Sequence, residues 1–82
     1  MIPTIHGNGI HDDSDGFLAA LAGQPFHAVD ECVKVAKGFG LKPIVQLERG
    51  RFYLRRVKLA DYVYRDNILI GPKASVSTFP YG

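Results

Sequence analysis

The sequence predicts an α+β fold in which a short N-terminal helix packs on a small β-sheet. Three observations carry this. Phe17, Leu18 and Leu21 recur at helical spacing among Ala19, Ala20 and Ala22. From Pro43 onward, apolar residues fall in short runs separated by turn residues, the pattern of strands. The chain has 82 residues, 46% hydrophobic and 22% charged, which suits one small globular domain with a thin core over residues 1–82.

Residues 1–13 read as an extended N-terminal arm, since Pro3 and Gly7-Asn8-Gly9 oppose helix. Asp13 or Ser14 is placed to cap the helix that follows, with Phe17, Leu18 and Leu21 anchoring it. Gly23 and Pro25 stop it. Residues 27–37 admit two readings. Val29, Cys32, Val33 and Ala36 favour a second helix closed by Lys37 and Gly38, while Val29, Val33 and Val35 would line one face of a strand. The helix is the preferred reading. Ile44–Leu47 reads as a strand, Glu48-Arg49-Gly50 as a tight turn, and Arg51–Leu59 as a second strand with a bulge at Arg55-Arg56. Tyr62–Ile70 reads as a third strand or a broken pair, ended by Gly71-Pro72 before a Ser/Thr and aromatic tail from Ala74.

Charge divides the chain. Residues 1–33 hold five acids and no Lys or Arg, a net −5, and residues 34–82 carry +7. The halves either attract each other within one domain, the preferred reading, or join one copy to the next. No apolar run is long enough to span a membrane. The single cysteine, Cys32, has no intramolecular disulfide partner, which fits a reducing compartment.

Four groups of residues are weighed for chemistry. His6, His11, Asp12 and Asp13 offer nitrogen and oxygen ligands, but in no recognised metal spacing. Gly7-Asn8-Gly9 resembles part of a phosphate loop, yet three carboxylates follow it. Cys32 with His27 could form a nucleophile and base, although Cys32 sits on an apolar face. The fourth group is basic and aromatic: Arg49, Arg51, Tyr53, Arg55, Arg56, Lys58, Tyr62, Tyr64 and Arg65, with Phe52 among them. Arg and Tyr are favoured anchors of protein interfaces, and the chain is only mildly basic, so a protein partner is preferred to nucleic acid. No catalytic residues, metal or cofactor are expected.

Gly7-Asn8-Gly9-Ile10-His11-Asp12-Asp13-Ser14, followed by Phe17-Leu18-Ala19-Ala20-Leu21, resembles the "G-x-G-x-x-D-D-[ST]" opening of pectate-lyase-like tailspike proteins of tailed phages. Val45–Leu54 is similar to that family's "V-x-L-P-x-G-x-Y-x-[IL]", and Asp66–Gly71 to its "D-N-V-x-[IL]-x-G". The resemblance implies a cap-like fragment of a parallel β-helix used on its own, without the family's catalytic carboxylates, which lie on later coils. It implies a virion protein of a tailed phage, made in the host cytoplasm. Its expected role is capsid decoration or cement, bound to a major capsid protein or another virion protein, with a homo-oligomer as an option. The alternative is a small phage-encoded inhibitor that binds a host protein or nucleic acid through the basic strand face.

Overall fold

A computed structural model describes residues 1–37 and 43–78. In chain order the elements are β1 (Thr4–Ile5), β2 (Asn8–Asp12), α1 (Ser14–Leu21), β3 (His27–Ala28), β4 (Val33–Lys37), β5 (Pro43–Leu54), α2 (Leu59–Val63) and β6 (Ile68–Thr78). The α+β class is thereby observed, with helices and mixed sheets in one chain.

Most of the pairing is parallel. β1 lies beside β3, with Thr4 opposite His27. β2 lies beside the second half of β5, with Asn8 opposite Arg51 and Asp12 opposite Tyr53. β6 follows β5 along its other edge, from Val45 opposite Ile68 to Leu54 opposite Thr78. β4 runs antiparallel along the first half of β5, with Val33 opposite Leu47. The chain thus makes successive passes. β1 and β2 form one pass, and β3 and β5 lie directly beside them in the same two sheets. β6 adds a further strand to the larger sheet.

The core joins α1 to the inner sheet face. Ile5, Phe17, Ala20, Val45, Leu47, Phe52 and Leu54 are buried there. Phe17 meets Phe52 edge to face, with centroids 5.5 Å apart at 81°, a favoured aromatic geometry. Gly16 makes this approach feasible, because a Cβ there would lie 2.3 Å from Ile5 Cγ1. The helix ends at Gly23 as expected: the amides of Gly23 and Gln24 fold back onto the carbonyls of Ala20 and Ala19. Of the expected anchors, Phe17 is buried and Leu21 packs at the core margin, but Leu18 is 38% exposed. Ala20 takes the inward position, one turn on from Gly16 and Phe17.

Several expectations are corrected. Residues 27–37 do not form a helix: β3, a single 3₁₀ turn at Val29–Glu31, and β4 occupy them. Asp30 and Glu31 both adopt positive φ, 54° and 51°, which no α-helix through this point can accommodate. The alternation Val33-Lys34-Val35 then pairs with β5. The expected close at Gly38 lies outside the described residues. Glu48-Arg49-Gly50 is not a turn, because β5 continues through it. Buried positions change parity here, from Val45 and Leu47 to Phe52 and Leu54, so the kink is at this point and not at Arg55-Arg56. Gly50 has φ 114°, and a Cβ there would lie 2.6 Å from the Gly7 carbonyl oxygen. Tyr62 belongs to α2, whose Leu59 and Tyr62 pack on the core one turn apart. Gly71-Pro72 does not end β6. The register there advances from Leu47–Ile70 to Arg49–Lys73, so β6 bulges by one residue opposite Glu48. The tail is strand as far as Thr78, and residues 79–82 lie outside the described residues.

Candidate interaction surface

The arm is extended but not free, and the Asp-Asp-Ser segment is what holds it. Asp13 is 1% exposed. Its two carboxylate oxygens accept the backbone amides of His6 at 2.9 Å and Gly7 at 3.0 Å. Asp12 accepts the Ser14 amide at 3.1 Å, the Ser14 hydroxyl at 2.5 Å and the Arg55 amide at 3.2 Å. The Ser14 hydroxyl in turn accepts the Arg56 amide at 2.9 Å. Asp13 stands at the helix N-cap position, but its side chain makes no cap bond, and Asp12 serves the Ser14 amide instead. These three side chains therefore stitch the link between β1 and β2, the start of α1 and the segment that follows β5 together. Burial opposes the charge on Asp12. The Ser14 hydroxyl, the Arg55 and Ser14 amides and the Arg56 guanidinium outweigh that and hold its carboxyl below the ordinary value.

The other candidates on the arm are drawn into the same structure. The Gly7 amide is taken by Asp13, and Asn8 Oδ1 accepts the amides of Ile10 and His11, so this loop turns its donors toward its own side chains. The Asn8 amide nitrogen lies 2.7 Å from His11 Nδ1. Because Oδ1 is already fixed as an acceptor, Nδ2 donates and the His11 ring proton is assigned to Nε2. The His11 ring stacks on His6 at 4.0 Å. Among the described residues no three His, Cys, Asp or Glu side chains gather as a metal ligand set. Cys32 is buried, and that burial pushes its thiol pKa up, which keeps it a neutral core group and not a nucleophile.

The nine basic and aromatic residues do not share one face. Arg49, Arg51 and Tyr53 alternate with the buried Phe52 and Leu54 and so lie on the outer face of β5. The Arg49 guanidinium donates to the Asp30 carbonyl. Arg55, Arg56 and Lys58 follow the strand and line a shallow open pocket with Asp61 and Thr78. Arg56 is engaged within the chain, by Asp15 at 2.8 Å and Asp12 at 3.5 Å. The acidic and basic halves thus meet inside one molecule. Lys58, Tyr62, Tyr64 and Arg65 lie on or beside α2. Tyr62 packs against the core, whereas Tyr64 is 88% exposed.

Two cations missed by sequence reasoning complete the outer sheet face. Lys73 on β6 lies opposite Arg49, and Ser75 and Ser77 lie opposite Arg51 and Tyr53. Lys34 on β4 lies opposite Gln46 and pairs with Glu48 at 3.6 Å. The signal for Lys73 was hidden because Gly71-Pro72 looked like the end of the strand. No protein-family model matches the chain, and no curated protein or solved structure is found similar to it. No helix among the described residues is long and apolar enough to cross a membrane.

Proposed function

We propose that the chain is a structural protein of a tailed-phage particle, a capsid decoration or cement subunit that bridges neighbouring virion proteins. The observation that carries this reading is the pass-on-pass topology. β1 and β2 are overlaid in parallel by β3 and β5, α1 covers the inner face, and β6 continues the sheet. This arrangement supports reading the chain as a capped first coil of a parallel β-helix. Gly7, Asp12, Asp13 and Ser14 of the motif form the stitch, and Gly50 forms the kink where β5 meets the Gly7 carbonyl.

A structural role also explains how the carboxylates are used. In a hydrolase, Asp12 and Asp13 would be turned toward substrate. Here their oxygens hold backbone amides and the Ser14 hydroxyl. In the proposed assembly the outer face of β5 and β6 meets a neighbouring protein, and its cations set the orientation of docking. A core this small gains stability when a partner selects its folded state. Density-gradient sedimentation of particles tests the proposal. Co-sedimentation of the chain with capsids supports it, and recovery with one soluble host protein would favour an inhibitor instead.

A further inference from the structure

We infer that the strip formed by Arg49, Arg51 and Lys73 on the outer sheet face is a docking site for an extended, acidic protein segment with carboxylates on alternate residues. The inference rests on the protein-docking part of the function proposed above and not on membership of a particle. Arg49 and Lys73 are exposed register partners on adjacent parallel strands. Like charges set directly opposite each other across a ladder disfavour the pairing. Arg51 continues the row two residues along β5. Among the described residues, the Arg51 and Lys73 side chains form no hydrogen bond or ion pair, and the Arg49 guanidinium reaches a backbone carbonyl, not an acid. The nearest acid on this face, Glu48, is engaged by Lys34.

The spacing matches a strand-like ligand. Alternate residues on β5 are separated by about 6.6 Å, and β5 and β6 by about 4.8 Å. An extended peptide with Asp or Glu at every second position presents carboxylates at the same interval. Beyond the cations along the same face lies Leu69, opposite Gln46 and 49% exposed, which offers an apolar contact for a side chain of that peptide. A nucleic acid fits less well. Tyr53, the aromatic residue on the strip, is half-buried, and the exposed Tyr64 ends α2, on neither strand of the strip. The row therefore lacks the open aromatic face on which bases stack.

The test titrates the isotope-labelled chain with a synthetic peptide of four Glu-Thr repeats, and in parallel with a fifteen-residue oligothymidylate, at two salt concentrations. The expected result is saturable peptide binding with the largest amide shifts in residues 49–53 and 73–77, weakened at higher salt. An R49Q/K73Q variant should bind at least tenfold more weakly. It should stay folded, because removing the opposed charges offsets the loss of the Arg49 bond to the Asp30 carbonyl. Should that variant fail to fold, K73T alone should still weaken binding several-fold. No saturable peptide binding, shifts centred on residues 58–65, unchanged affinity of the variants, or tighter binding of oligothymidylate would each overturn the inference. None of these results bears on whether the chain sediments with particles, so the two proposals fail separately.

Discussion

Replacing Asp13 with Asn changes a single atom type in a fully enclosed site, and its cost follows from geometry. The two Asp13 oxygens accept the His6 and Gly7 amides at 2.9 and 3.0 Å. Asparagine keeps one acceptor and turns an NH₂ toward the other amide, so one buried N–H loses its partner and faces a second donor. A hydrogen bond to a charged group is worth about 1.5–3 kcal/mol, and an unsatisfied buried donor costs about 1–3 kcal/mol. We expect D13N to lose roughly 2–4 kcal/mol. At about 4–8 °C per kcal/mol for a domain this size, that amounts to a fall in melting temperature of about 8–32 °C. Calorimetry measures the loss, and amide hydrogen exchange locates it. Protection should fall first at His6 and Gly7, because the stitch opens before the core. A carboxylate kept for chemistry behaves in the opposite way, since its removal commonly relieves strain and raises stability. An unchanged or higher melting temperature for D13N, with His6 and Gly7 still protected, would refute the stitching role.

Three other outcomes follow from the same contacts. The Asp12 carboxyl is held below its ordinary value of 3.8, so its contribution is complete above that pH and is lost as pH falls through its folded-state value. An acid titration followed by circular dichroism should show D12N less stable than the parent at neutral pH and the difference closing in acid. G16A places a Cβ 2.3 Å from Ile5 Cγ1 and should cost about 1–3 kcal/mol in denaturant unfolding. R56E replaces the cation between Asp12 and Asp15 with a third carboxylate. Because these pairs are largely exposed, the expected loss is about 1 kcal/mol and should shrink in high salt.

What could be read from the sequence was local and periodic. α1 was legible because Phe17 and Leu21 recur at helical spacing and Gly23 closes the helix at a position that demands positive φ. The strand character of residues 44–47 and 51–54 was legible for the same reason. What failed depended on tertiary partners. Glu48-Arg49-Gly50 has turn composition, but β6 pairs with Arg49 and Gly50 along one edge, while the Cys32 and Gly7 carbonyls accept the Glu48 and Arg51 amides, and these contacts keep it extended. The helical spacing in 27–37 is real in the sequence, yet the paired acids Asp30 and Glu31 turn the backbone left-handed and give the following residues to β4. α2 is one turn of Leu, Ala, Asp, Tyr and Val, too short for a period to declare itself. At the candidate surface, Arg49, Arg51 and Tyr53 share one strand. The assignment of Arg56 to a free basic face failed, because its acids lie more than forty positions away in sequence. The same long-range contact explains why the charge asymmetry is resolved within the chain.

The most direct measurement of the proposed function is the thermal release of packaged DNA from particles made with and without this chain, followed by a fluorescent intercalating dye. A cement subunit predicts that particles lacking the chain release DNA at a lower temperature and that adding back purified chain restores the difference, whereas the D13N protein restores it only below its own melting temperature. Identical release temperatures with and without the chain, in particles shown by sedimentation to carry it, would contradict the proposed role.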